Sequence, residues 1–357
     1  MRSNAAHAAL EATRLGIERK TIYDIAEHAG VSIATVSRVL RGENGVSEKT
    51  RRRVEEVIAK YNYQPSAYAR GLTQKHTRTY GIILPKLANP NYVMLFEGAY
   101  DEAAANGYAM TLFPWENMNA AGLDVVEVLS ERRLDGVIIC LEFIGADELE
   151  RWRSQLTAIR QYMPVVLTGT MPPGLDFPSV TVDLSECVHR IVTYLAELGH
   201  ERIALLGGFN ERGIPFSRDE SYRQALEEMH LPRVGQYRVF GRCTVEDGKR
   251  QLDEMLSNLV RTQWPTAVIA ANDMVALGVL HAAESRGLRV PEDLSVVGCD
   301  DVFFAEYSSP PLTSMRTHQT EVGRRAVKML LDESARGQVK LDGELVIRKS
   351  CAGAAGR

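Results

Sequence analysis

Residues 21–41, TIYDIAEHAGVSIATVSRVLR, encode two short helices joined by a tight turn. Thr21 supplies a hydroxyl that caps the first helix, and Asp24 is spaced to answer it. Ile22, Ile25, Ala26 and Ala29 share one face at helical spacing. Gly30 is the left-handed residue that ends this helix, and Ser32 caps the next. The second helix turns Val36, Val39 and Leu40 inward and offers Ile33, Ala34, Thr35, Ser37 and Arg38 outward. An outer face this small, polar and basic fits the major groove of duplex DNA. A hairpin inside a larger helical domain has the same local pattern, so the neighbouring residues must decide.

Val46-Ser47-Glu48-Lys49-Thr50 starts a third helix with Ser47 as its cap. Val54, Val57, Ile58 and Tyr61 recur at the spacing that closes a three-helix core, and Arg51, Arg52 and Arg53 run along its exposed side. Residues 18–75 hold eleven Lys/Arg against seven Asp/Glu, a net of +4, while the whole chain carries −4. The remainder therefore carries −8, and the nucleic-acid contact falls at the N-terminal end. The next segment is Tyr61-Asn62-Tyr63-Gln64-Pro65-Ser66-Ala67-Tyr68-Ala69-Arg70-Gly71-Leu72. Pro65 ends one element and Ser66 can cap a new one. A helix of about six residues forms only against a partner, such as a twin helix and a DNA groove, with Leu72 as a wedge between base steps. A plain linker is the alternative.

Five stretches together are far more specific than any one: Asp24-Ile25-Ala26, Ala29-Gly30-Val31-Ser32, Thr35-Val36-Ser37-Arg38-Val39, Asn62-Tyr63 with Pro65, and Ala69-Arg70-Gly71-Leu72. They resemble the lactose/galactose repressor (LacI/GalR) family, and the likeness spans roughly Thr21 to Cys351. The resemblance implies a lead over residues 1–18, a helix-turn-helix headpiece over 19–63, a hinge helix and linker over 64–76, and a two-lobed effector-binding and dimerisation domain over 77–357. It implies that Thr21, Tyr23, Ser32 and Thr35 hold phosphates. Ile33, Ala34 and Arg38 read base edges, Ser37 meets the major groove, and Ala69 and Leu72 enter the minor groove. Tyr68 packs across the paired hinges. The Ile33-Ala34 pair is similar to the Val/Met-Ala pair of galactose- and catabolite-type repressors, which implies a near-palindromic operator with a central CG step. A leucine heptad does not precede Arg357, so the expectation is a homodimer and not a coiled-coil tetramer.

The remaining 280 residues read as an α/β body. Apolar residues at 45% and charged residues at 25% suit a globular protein. No apolar run reaches the roughly 18 residues of a membrane span, and residues 1–20 lack a secretion-type apolar core. The cysteines, Cys140, Cys187, Cys243, Cys299 and Cys351, are scattered, which points to reduced thiols and a cytoplasmic setting. Buried strands are expected at 80–84, 108–113, 136–140, 165–167, 202–206, 266–270 and 294–298, with amphipathic helices such as Tyr92 to Ala105 and Leu184 to Leu198 between them. This alternation predicts doubly wound parallel sheets. About ten strands are too many for one small sheet, so two lobes are the natural division. The resemblance implies a periplasmic-binding-protein-like body, with crossings at Thr181–Asp183 and Arg316–Gln319.

Ligands in such sheets sit beyond the carboxyl ends of the strands. Three polar groups close those strands: Asn272-Asp273, Asp300-Asp301, and Arg218 in the segment after Leu205-Leu206-Gly207-Gly208. An Arg fork opposite a carboxylate can orient vicinal hydroxyls; each residue can equally be a helix cap or an ion-pair partner. The resemblance matches Arg218, Asn272 and Asp300 to the family's effector-binding Arg, Asn and Asp. It also shows departures. Asn89-Pro90 is followed by Asn91-Tyr92, leaving Tyr92 as one aromatic platform where the family commonly has two. Cys243 and Cys299 stand where many members have aromatics, and Ile214-Pro215 and Thr317 replace the family's Ser and Gln. A standard hexose is therefore not implied, and a smaller or acidic sugar, or a nucleoside, stays open. His200-Glu201 lacks the second His of a metalloprotease, Gly207-Gly208 is no phosphate loop, and no G-x-S-x-G elbow occurs. No catalytic residue, metal or cofactor is implied. The expected function is DNA-binding transcriptional regulation under a sugar-like effector, with double-stranded operator DNA as partner. The rivals are a free periplasmic-type sugar-binding protein and an enzyme using the cleft.

Overall fold

A reciprocal cap starts the N-terminal head. In the computed structural model, the Thr21 N–H donates to Asp24 Oδ2 at 2.6 Å and the Asp24 N–H donates to Thr21 Oγ1 at 3.4 Å. These bonds open α1 (Ile22–Ala29), which ends at Gly30 with φ 59°. Ser32 Oγ accepts the Thr35 N–H at 3.2 Å to start α2 (Ile33–Leu40). Ser47 Oγ accepts the Thr50 N–H at 3.3 Å to start α3 (Glu48–Lys60). Ile25, Ala26, Ala29, Val36, Val39, Val54 and Tyr63 form the buried core, with Leu40, Val57, Ile58 and Tyr61 packed against it. Arg51 Nη2 donates to the Glu43 carbonyl at 2.8 Å and Arg53 Nη2 to the Gly30 carbonyl at 3.4 Å, so two of the three α3 arginines also fasten loops.

The structure describes residues 20–40, 42–63, 76–141, 146–171, 174–208, 217–241, 243–332 and 334–354. The expected lead at 1–18 and the departures Ile214 and Pro215 lie outside them, as do Tyr68, Ala69, Leu72 and nearly all of the expected hinge. The chain divides into two units between Thr77 and Arg78.

The second unit begins with β1 (Thr79–Leu84), α4 (Pro90–Ala105), β2 (Ala109–Pro114), α5 (Trp115–Ala120), α6 (Val125–Glu131), β3 (Gly136–Leu141), α7 (Ala146–Ile159), β4 (Val165–Gly169) and β5 (Ser179–Val182). It continues through α8 (Leu184–Glu197), β6 (Ile203–Gly208), α9 (Ser217–Glu228), β7 (Arg238–Phe240), α10 (Val245–Asn258), β8 (Ala267–Ala270), α11 (Asp273–Ser285) and β9 (Ser295–Asp300). It closes with α12 (Phe304–Tyr307), β10 (Thr313–Arg316), α13 (Gln319–Leu331), β11 (Gln338–Leu341) and β12 (Glu344–Val346). Two six-stranded sheets result, ordered β11-β5-β4-β3-β1-β2 and β12-β10-β9-β8-β6-β7. Every pair is parallel except β10–β12, an antiparallel edge that the sequence reading did not foresee.

The chain crosses between the sheets at Asp183, at Thr317–His318 and at Asp342–Gly343. The first two were expected. The third was not, because β11 and β12 are four and three residues long and show no periodicity to read. One apolar cluster runs through both lobes, from Leu84, Leu95 and Val180 to Leu205, Ile269 and Met315. Separate clusters cover the other face of each sheet.

Glycines let paired helices touch in both lobes. A Cβ on Gly98 would overlap the Thr320 carbonyl and one on Gly323 the Leu95 carbonyl, which joins α4 to α13. Gly248 and Gly278 do the same for α10 and α11, against the Val275 and Val245 carbonyls. Backbone cannot retreat as a side-chain tip can. Gly323→Ala is therefore expected to lower stability by about 1–3 kcal/mol, read as a drop in the urea midpoint. Gly235→Ala, which would meet nothing within 4 Å, should leave the midpoint unchanged or raise it. Equal midpoints for the two variants would refute the close-packing account.

Candidate functional site

Two surfaces carry the chemistry expected from the sequence. On the head, Ser32, Ile33, Ala34 and Arg38 are exposed, while Thr35 and Ser37 are half-buried. Thr35 Oγ1 lies 2.9 Å from Ser32 Oγ, so these hydroxyls also serve the cap. Tyr23 is 68% exposed on the adjoining helix and Thr21 is exposed at its start. A solvent-facing Tyr and Ile beside one arginine contribute nothing to the head's own core, but they suit contact with a grooved polyanion.

In the second unit a small polar cavity opens where the two sheets meet. Asn91, Thr181, Arg218, Asp300, Thr317 and Gln319 line it. Asp300 ends β9 and is 4% exposed. Asn89, which caps α4 by accepting the Asn91 N–H at 3.0 Å, donates from Nδ2 to Asp300 Oδ2 across the cleft at 3.5 Å. Thr317 Oγ1 sits 3.4 Å from both Asn91 Oδ1 and Gln319 Nε2. These contacts are at the weak end of hydrogen bonding. A ligand rich in hydroxyls can replace them at little cost. Arg218, in the first turn of α9, donates from Nη1 to the Ala271 carbonyl at 2.9 Å. The cavity thus has a cation and an anion in its lining, along with amides and hydroxyls.

Two of the expected effector contacts are not among the residues that line this cavity. Asn272 is a helix cap: its Oδ1 accepts the Val275 N–H at 2.9 Å and its Nδ2 donates to the Cys243 carbonyl at 3.4 Å. Tyr92 is 2% exposed and packs within the apolar cluster, so it is not an open stacking platform. Asn91 takes the cleft position instead. Thr181 and Gln319 were also missed, although they stand at the two crossings the sequence located, which was the available signal.

Asp301 follows Asp300 and is clasped by Arg316 Nε at 2.9 Å and Arg348 Nη1 at 2.6 Å. Behind it, Asp273 is 1% exposed. Burial pushes its carboxyl up to about 7, and neighbouring Asp301 adds to the rise, against bonds from Ser314 and the Val302 N–H that oppose it. Burial also pushes the Cys187 thiol up to about 11 and the Cys299 thiol well above its usual range. Both stay protonated inside the apolar cluster and are not nucleophiles.

Residues 21–66 match the model of bacterial regulatory proteins of the lacI family, and residues 192–351 match that of the periplasmic binding protein-like domain. Catabolite control protein A of Priestia megaterium is 33% identical over 311 residues, covering 87% of this chain and 91% of that one. The chain belongs to the LacI family. The HTH-type transcriptional repressor CytR of Escherichia coli K12 is 31% identical over 335 residues, 92% of this chain and 96% of the relative. The lac repressor dimer bound to operator and the anti-inducer ONPF superposes with a TM-score of 0.79 at 28% identity, over 94% of this chain and 100% of that one. The CelR–cellobiose complex gives 0.66 at 27% identity, over 93% and 100%. The chain is accordingly a DNA-binding transcriptional regulator with a periplasmic-binding-protein-like body. A free sugar-binding protein, which has no such head, is set aside. Among the described residues no helix is long and apolar enough to cross a membrane.

The Asp273 carboxyl titrates higher folded than its ordinary value of 3.8. The fold favours its neutral form, so its contribution is full below that ordinary value and is lost as pH rises through about 7. Relative to Asp273→Asn, wild-type stability is expected to fall by at most about 1.4 kcal/mol per pH unit across this window and then to level off. Denaturant melts of both proteins at stepped pH check this, and a constant difference between them would contradict it.

Proposed function

We propose that the chain is a homodimeric, cytoplasmic repressor whose hold on a near-palindromic operator is set by a small polyhydroxylated effector bound between the two lobes. The observation that carries the effector reading is the pairing of Arg218 and Asp300 on one polar cavity. A sugar or sugar derivative offers hydroxyls that donate to a carboxylate and accept from a guanidinium. Asn272 and Tyr92 belong to this site as its support, the first by fixing the start of α11 and the second by anchoring α4 in the apolar cluster.

On the head, Ile33, Ala34 and Arg38 read base edges in the major groove, with Ser37 beside them. Thr21, Tyr23, Ser32 and Thr35 hold phosphates. Contact of Ala69 and Leu72 with the minor groove, expected from the sequence, belongs to the same proposal. Two exposed apolar patches support a second copy: Val93 and Tyr100 on α4, and Phe303, Phe304 and Tyr307 around α12, the last 79% exposed. Surface of this kind marks an interaction site. The effector acts by binding two lobe arrangements unequally, which changes how the paired hinges are presented.

Arg38→Ala is expected to cost about 1–3 kcal/mol on the operator and to relax one base position. Selection from a pool of random duplexes, followed by titration, measures both. An unchanged preference would remove α2 from the groove. Arg218→Ala should abolish the melting shift given by any sugar, sugar acid or nucleoside that stabilises the wild type, while operator affinity stays intact. A full shift in that variant would take Arg218 out of the site.

A further inference from the structure

Asp300 reaches the cleft from a turn that needs outside support. Asp300 and Asp301 hold φ at 113° and 54°, which side-chain-bearing residues keep only when their surroundings enforce it. Asp273 supplies that enforcement from outside the cavity. Its Oδ2 accepts the Val302 N–H at 2.8 Å and its Oδ1 accepts the Ser314 hydroxyl at 2.6 Å. Ser314 Oγ in turn accepts the Asp301 N–H at 3.1 Å. Both backbone N–H groups that follow Asp300 therefore end on one carboxyl, one of them through Ser314. The sheet makes room for that carboxyl. Ser314 lies opposite Gly298 in the β9–β10 register, and a Cβ on Gly298 would overlap Asp273 Oδ1. As the residue beside the Asn272 cap, Asp273 could have faced solvent at the helix start. It is buried against the turn instead.

We infer that Asp273, acting through Ser314 and the Val302 N–H, is the positioning residue of the effector site: it fixes the turn that aims Asp300, without lining the cavity. The inference rests on the proposed placement of the effector at Asp300. An ionised Asp273 accepts charge-assisted bonds, which are about twice as strong as neutral ones. Protonation weakens its grip on the turn. The groups that bear on its charge are Asp301 on the turn, Arg348 beyond β12 and the Cys299 thiol on β9, while Arg316 faces it from β10 through the Asp301 clasp. Effector affinity should therefore rise with pH through neutrality.

Hydrogen exchange on the full-length chain tests the turn without any ligand. Peptides spanning 298–305, corrected for intrinsic pH dependence, should exchange about tenfold faster in Asp273→Ala and in Ser314→Ala. Ser314→Ala decides the matter if Asp273→Ala does not fold. Wild-type rates in the variants would overturn the inference. D-ribose, D-galactose, D-gluconate and cytidine serve as effector probes, and any that raises the wild-type melting temperature is titrated. Its affinity should tighten between about pH 6 and about pH 8 in the wild type and stay flat, near the low-pH value, in Asp273→Asn. A parallel profile in Asp273→Asn would also overturn the inference. Wild-type affinity in Asp300→Asn would instead sink the effector placement, as would a panel with no stabilising probe. The exchange result still decides whether Asp273 holds the turn in both cases.

Discussion

Three passages of chain between the sheets constrain everything the second unit can do. They bring the carboxyl ends of strands from both lobes to one cleft and make the two lobes share one apolar cluster. The first and third passages are fastened to each other. Lys340 Nζ pairs with Asp183 Oδ2 at 2.6 Å, and Arg190 Nη1 donates to the Gly343 carbonyl at 3.0 Å. The ion pair contributes little, because Lys340 is largely exposed and such pairs give about 0–1 kcal/mol. Packing contributes more. Gly343 lies against the first passage and β10, and a Cβ there would come within 2.5 Å of Cys187 Sγ and 3.0 Å of Met315 Sδ. The connections are therefore the stiff part. The cleft contacts between Asn89 and Asp300, and between Asn91 and Thr317, are the soft part, at 3.5 and 3.4 Å.

This contrast bears on how a ligand can act. A typical hydrogen bond nets about 1 kcal/mol, and bonds this long net less. Replacing them costs a ligand almost nothing, whereas bonds inside each lobe, such as Ser314 to Asp273 at 2.6 Å, stay intact. The proposed mechanism therefore leaves each lobe its shape and changes the angle between them. The division of labour among the polar residues follows. Asn272 is committed to a cap and Asp273 to the turn. Asp301 is committed to Arg316 and Arg348. Arg218 and Asp300 are the opposite charges that face the cavity.

The head was legible in the sequence because its rules are local. Thr21 with Asp24, Gly30, Ser32 and Ser47 each act within four residues of their own position, and each does in the structure what its spacing announced. The sheets were legible because buried parallel strands read as short apolar runs. What failed was long-range. β11 and β12 are recruited by the edges of two sheets and have no pattern of their own. Tyr92 and Asn91 are neighbours on α4 and both are buried, but Asn91 lines the cavity while Tyr92 packs in the apolar cluster, a difference of helix phase that no local pattern carries. Asp273 looked like half of a polar pair at a strand end. Its burial depends on Gly298 and Ser314, distant in sequence, leaving it room.

The head itself explains why a body this elaborate is needed. Seven buried side chains hold the described part of the head together, a core near the lower limit for an independent domain. One α2 helix presents a single arginine and a few small residues to a groove. A lone head must therefore bind a half-site weakly, with much of its hold coming from phosphate contacts that salt erodes. In the proposed dimer two heads would gain by effective concentration, and that gain vanishes when geometry forbids both from engaging. The body need not touch DNA or alter either reading face to switch the protein. On the proposed mechanism a change in lobe angle that spoils the simultaneous fit is enough, and a cleft closed by weak polar contacts is where a small ligand would impose that change most cheaply.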